Sequence, residues 1–170
     1  MGYKCEFCGE EHDELPMDLA FRRPEDYFKV PEPQRSRRIR ESEDLCIIDD
    51  NVFLIRGILP IPVHDSERDF VWGVWASVRR ASFRRYQKLW NVDGSDEPPF
   101  RGKLSSKFPG YPDTYRLELD AYLGKSNERP VFRLLPTDHP LYHEQTDGIS
   151  MARVHEILRI AMPKLFSNDA

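Results

Sequence analysis

The sequence predicts an α+β fold: an antiparallel meander sheet of five to six strands, two helices on one face, and an N-terminal segment like a zinc knuckle. Three observations carry this. Apolar residues alternate at period two in several separate runs, a helical period marks two others, and two cysteines stand close together near the start. The chain is 170 residues long and is read as one domain, a size that hides roughly 70% of its unfolded surface without staples. Ten Phe, seven Tyr and three Trp offset a hydrophobic fraction of 39%, because large rings dominate a core.

Residues 1–16 read as a cysteine knuckle and 17–44 as an irregular arm punctuated by Pro24, Pro31 and Pro33. Residues 45–136 read as the sheet with one inserted helix, and 137–170 as a C-terminal helix. Within the sheet, LCIID and VFLIRGILPIPV flank Asp50-Asn51, the pattern of a β-hairpin. Gly57, Pro60 and Pro62 predict an edge position or a bulge for its second strand. In FVWGVWASV, Phe70, Trp72, Val74, Ala76 and Val78 share one face and Trp75 the other, so both faces of this strand are covered.

SFRRYQKLWN (82–91) fits a short helix, with Ser82 as N-cap and Phe83, Tyr86, Leu89 and Trp90 on its stripe. TYRLELDAYL alternates from Tyr115 to Leu123 and pairs antiparallel with VFRLLP, since the link is too short for a crossover helix. A last helix spans 150–163, its apolar stripe built from Met151, Val154, Ile157, Leu158, Ala161 and Met162.

The net charge of −4 supplies no global field for nucleic acid or an anionic membrane. No stretch approaches the roughly 18 apolar residues of a membrane span. The acidic N-terminus lacks the apolar region of a signal peptide, and Glu6 stands where myristoylation wants Ser or Thr. Three cysteines without such a signal place the chain in a reducing cytoplasm.

The sharpest chemical signal is CEFCGEEH. Cys5 and Cys8 have the spacing at which a tight turn aims two thiolates at one tetrahedral metal, Gly9 suits that turn, and His12 is a third donor. Cys46, or one of His64, His139, His143 and His155, completes the set. The expectation is one structural zinc ion, because four protein ligands leave no position for water. A redox pair and two ordinary thiols are the competing readings.

His139, His143 and Glu144 in HPLYHE outline a weaker candidate for metal-dependent hydrolysis. The H-E-x-x-H order is absent, and Pro140 suits the first turn of a helix capped by Asp138 or His139. Arg56, inside an apolar strand, faces either solvent or a buried carboxylate, for which Asp49, Asp50 and Glu118 are the candidate partners. The cluster Arg35, Arg37, Arg38 and Arg40 precedes Glu41, Glu43 and Asp44, so a self-neutralised solvated face is favoured over a phosphate site. Arg79-Arg80-Ala81-Ser82 has the form of a basophilic kinase site, which the capping role of Ser82 explains more simply. Trp72, Trp75 and Trp90 are assigned to the core.

CEFCGEEHDELP, DLCIIDDNVFLIRGILPIPV, FVWGVWASV and RPVFRLLPTDHPLYHEQTDGIS, in this order, resemble the bacterial family called domain of unknown function 2199. The resemblance implies a bacterial single-domain protein and transfers no catalytic role to any residue. The resulting expectation is a zinc-stabilised, non-enzymatic domain that binds a protein partner, in the manner of an immunity or antitoxin-like factor. A small metal-dependent hydrolase and a nucleic-acid binder using the 35–40 arginines stand as alternatives.

Overall fold

A computed structural model describes residues 15–163 and, before them, the backbone of residues 3–4 and 11–12. Cys5, Cys8 and the end of the chain past residue 163 lie outside the described residues. Two short strands, β1 (Tyr3–Lys4) and β2 (Glu11–His12), pair antiparallel, so the chain between them carries both N-terminal cysteines.

The centre of the molecule is a closed five-strand barrel. It contains β6 (Val52–Ile61), β7 (Phe70–Val78), β8 (Phe100–Leu104), β9 (Glu118–Tyr122) and β10 (Val131–Leu134). Each strand pairs antiparallel with the next, and β10 closes the ring by pairing parallel with β6, Val131 opposite Ile58. Three further strands lie outside the ring. β3 (Asp18–Ala20) runs parallel on β7, β5 (Leu45–Ile48) antiparallel on β6, and β4 (Ile39–Glu41) antiparallel on β5. This corrects the expected simple meander of five or six strands.

The two long strands make this possible by changing partners along their length. β7 carries β3 beside Val71–Gly73 and β8 beside Ala76–Val78. β6 carries β5 beside its first half and meets β10 at Ile58. Arg56 sits where those two neighbours diverge: its N–H donates to Asp44 O at 3.0 Å, while the N–H of Ile58 donates to Pro130 O at 2.9 Å.

Of the expected edge position or bulge, an edge position holds only past Ile58, where β7 is the remaining strand partner among the described residues; before it, β5 and then β10 pair on the other side. Beyond Ile58, Gln145 takes the place of a strand partner. Its Oε1 accepts from the N–H of Leu134 at 2.9 Å, and its Nε2 donates to Phe132 O at 2.9 Å and Pro60 O at 3.4 Å. Pro60 has no N–H to offer, and with strand pairing ended on that side none is missed.

The inside of the barrel is the main core, with Ile55, Leu59, Phe70, Trp72, Leu119 and Phe132 almost without solvent contact. Burying each such side chain stabilises the fold by roughly 1.5–3 kcal/mol. On the opposite face of β5, β6 and β7, Cys46, Ile48, Leu54 and Trp75 pack with Val30 in a second, smaller cluster. The segment that covers it is not an irregular arm throughout. It holds β3, α1 (Glu25–Phe28), a 3-10 turn (Glu32–Gln34), α2 (Arg35–Arg38) and β4.

Among the described residues five α-helices replace the expected two. α3 (Arg80–Leu89) buries Phe83 and Tyr86, but its N-cap is Arg79 rather than Ser82. α4 (Pro140–Asp147) starts with His139 as cap and Pro140 in the first turn, both as expected. α5 (Met151–Ala161) is capped by Ser150 and buries His155 beside Val154, Ile157 and Leu158. The β5–β6 turn also shifts by one residue, with Asp49 and Asp50 at φ 54° and 51°. Strand β9 begins only at Glu118, because Arg116 adopts φ 72° and breaks the run expected from Tyr115.

Candidate functional site

Arg56 lines a cleft of about 260 Å³ with Arg22, Arg23, Glu41, Ser42 and Glu43. Three pieces of backbone build it: the stretch after β3, the end of β4 with its turn, and the point where β6 changes partner. Trp75, opposite Arg56 on β7, ties the first piece down by donating its Nε1–H to Phe21 O at 3.0 Å.

Pairing the charges in the cleft leaves an excess of cations. Arg23 grips Glu41 through two hydrogen bonds, Nε to Oε2 at 3.2 Å and Nη2 to Oε1 at 3.0 Å, and this contact raises the pKa of the guanidinium. Glu43 lies 3.4 Å from Nη2 of Arg129, whose Nε donates to Asp44 at 2.7 Å. Arg22 has no hydrogen-bond or ion-pair partner among the described residues. Arg56 Nη1 reaches only Glu43 O at 3.5 Å, and its Nε is closed off from solvent without an acceptor. None of the expected partners Asp49, Asp50 and Glu118 reaches it. An enclosed donor without an acceptor costs about 1–3 kcal/mol, so two guanidinium groups here remain uncommitted for an anion.

The other sequence candidates are placed differently. Cys46 is buried among Val30, Ile48, Leu54 and Trp75, where loss of solvent pushes its thiol up to about 12. His12 is described by its backbone alone. His64 Nε2 bonds Asp147 O at 2.7 Å, and His155 lies inside the α5 contact with the core. His139 is used on both ring nitrogens: Nδ1 accepts from the N–H of Leu141 at 3.0 Å, and Nε2 bonds Pro112 O at 3.0 Å. Glu144 accepts from Tyr111 Oη at 2.5 Å and Arg153 Nε at 2.8 Å. Burial first, then this contact, raises the pKa of the Tyr111 phenol. His143 stays exposed on α4, so the HPLYHE trio does not converge. Among the described residues no group of three His, Cys, Asp or Glu side chains is arranged to hold a metal.

Of the arginine cluster, Arg38 pairs with Asp49 through bonds of 2.8 and 2.7 Å, and Arg40 pairs with Asp50. The expected neutralisation thus reaches Arg38 and Arg40, and it comes from the β5–β6 turn rather than from Glu41, Glu43 and Asp44; Arg35 and Arg37 have no ion-pair partner among the described residues. Trp72 and Trp75 are core residues as expected, whereas Trp90 is half-buried and lines a neighbouring cleft. Among the described residues no helix is long and apolar enough to cross a membrane.

Residues 4–149 match the family described as an uncharacterised protein conserved in bacteria, domain of unknown function 2199. The chain belongs to this family. No curated protein and no solved structure matches it. The family match spans Cys5 and Cys8, the Arg56 cleft and α4, and it assigns no activity to any of them. Sequence reasoning singled out Arg56 as odd but missed Arg22 and Arg23, whose only signal was an arginine pair in a segment without periodicity.

Proposed function

We propose that this family member is a non-enzymatic binding domain that captures an acidic group of a protein partner in the Arg56 cleft. The observation that carries the reading is the uncommitted pair Arg22 and Arg56, one exposed and one half-buried, at a strand divergence that holds the second in place. A planar guanidinium with free donors suits a carboxylate, which accepts two parallel hydrogen bonds. An arginine at this strand position has no structural carboxylate to answer it, and binding supplies the missing acceptor.

Zinc enters the same proposal as a structural ion on Cys5 and Cys8, with His12 as a further donor. The support is the two-residue spacing together with the β1–β2 pairing on either side of the segment. The apolar surroundings of Cys46 favour a core role for that thiol over a place in the metal set.

The test is a titration with a blocked glutamyl dipeptide and its glutaminyl counterpart, read by the fluorescence of Trp75, which neighbours Arg56 on the next strand. Saturable, salt-weakened binding of the glutamyl compound alone, lost in Arg56→Leu, is the expected result. Equal responses to the two compounds sink the reading.

A further inference from the structure

The sheet ends at β3, which pairs with β7 on one side and with no strand on the other among the described residues. Its bonds to β7 come from alternate residues. Met17 O accepts from the N–H of Val71 at 2.9 Å, the N–H of Phe21 donates to Gly73 O at 2.8 Å, and the parallel register places Leu19 between them. The N–H and C=O groups of Asp18 and Ala20 therefore point away from β7, and both residues are exposed.

A cleft of about 570 Å³ follows this edge from Pro16 to Phe21, with Trp72, Pro109 and Met162 among its walls. Leu19, Phe21 and Met162 pack against the main core, so the wall on that face is apolar. Asp18 is the one charged residue among the described residues that line the cleft, and it has no ion-pair partner among them.

We propose that the free edge of β3 takes an extended segment of a protein partner as an added antiparallel strand, with an apolar side chain in the cleft and a lysine or arginine beside Asp18. The site shares no lining residue with the Arg56 cleft and goes beyond the binding reading above.

The backbone selects a strand. A small molecule answers one or two of the outward groups, whereas another extended main chain repeats donor and acceptor at the spacing of Asp18 and Ala20. Three residues in antiparallel pairing meet them with four main-chain bonds, two at each residue.

The side chains select its pattern. The residue opposite Leu19 shares the face of Leu19 and enters the cleft, while the residue opposite Asp18 lies on the solvent face close enough to pair with the carboxylate. Charge argues against a second copy of this chain. Two β3 edges paired about Leu19 would set both Asp18 carboxylates on one face with no cation between them.

Fluorescence polarisation of the full chain with labelled heptapeptides tests this. The parent probe carries Leu-Lys at the centre of a Thr/Ser sequence. Its versions replace Leu by Ser, replace Lys by Glu, or bear an N-methyl group on Lys or on Leu. Replacing Leu is expected to weaken binding about tenfold or more, the range of one buried aliphatic side chain. N-methylation of Lys, whose N–H faces Asp18, abolishes binding, whereas N-methylation of Leu, whose N–H faces away, leaves it unchanged. Asp18→Lys, a substitution on the exposed face, reverses the preference between the Lys and Glu peptides by about two- to fivefold. Equal loss from the two N-methyl groups, or equal affinity with Leu and Ser, overturns the proposal. Sedimentation velocity identifies other occupants. A dimer that binds none of the peptides assigns the edge to a second copy, and a monomer that binds none shows the edge covered within the chain; either result overturns the proposal as well.

Discussion

The ring of Phe132 on β10 occupies the space that a side chain on Gly57 of β6 would need. A Cβ built on Gly57 stands 2.7 Å from both Cε atoms of Phe132 and closer still to Cζ. The contact lies one residue from Ile58, where the parallel pairing closes the barrel. The glycine serves the approach of a ring rather than an unusual backbone angle.

Gly57→Ala should therefore destabilise the protein by about 1–3 kcal/mol through overpacking. Adding Phe132→Leu should recover part of the loss by freeing the space, so the double mutant should exceed the sum of the singles in stability. Urea unfolding of the three variants decides it; strict additivity would mean that the ring is not the obstacle.

Cys46 predicts a limit to stability at high pH. Its thiol ionises near 9.0 when solvated and near 12 when folded, because burial disfavours the thiolate. The folded state then holds a proton that the unfolded state has lost, so stability is complete below 9.0 and falls between 9.0 and about 12. Cys46→Ala should flatten that limb of a pH titration of the unfolding midpoint. An unchanged slope between wild type and variant would place its cause elsewhere.

Removing the guanidinium of Arg56 should make the unliganded protein more stable. Leucine at this position keeps apolar contact with the face shared by Leu54 and Trp75 and takes away an enclosed donor without an acceptor, a gain of about 1 kcal/mol. The same substitution abolishes binding of the glutamyl probe. A variant that loses stability instead would show that Arg56 holds the fold together.

Protein purified without a metal-binding tag should carry about one zinc per chain. Cys5→Ser and Cys8→Ser should each lose the metal, and Cys46→Ala should retain it. Elemental analysis of the four proteins is the measurement. A folded, metal-free wild type would remove zinc from the account.

Features that arise within a few neighbouring residues could be read from the chain. The β5–β6 hairpin follows from two β-branched runs around an acidic turn, and the FVWGVWASV strand from its period. His139 with Pro140 marks the start of α4 because a cap and a fixed φ act within one turn. The edge position expected from Gly57 and Pro60 holds only for the second, because each residue answers to a different partner. One makes room for Phe132 and the other stands where Gln145 replaces a strand, and neither partner is near in sequence.

Alternation and turn chemistry determined on their own the strands β5, β6, β7, β9 and β10 and the helices α3 and α5, and that two cysteines stand at metal-ligand spacing. Tertiary structure alone decided that the sheet closes through Val131 and Ile58, and that Arg22, Arg23 and Arg56 face one cleft. The reason is physical. Side-chain periodicity records which face of an element is buried, but it carries no information about which distant backbone fills the neighbouring place, and the cleft exists only where β5 and β10 part from β6.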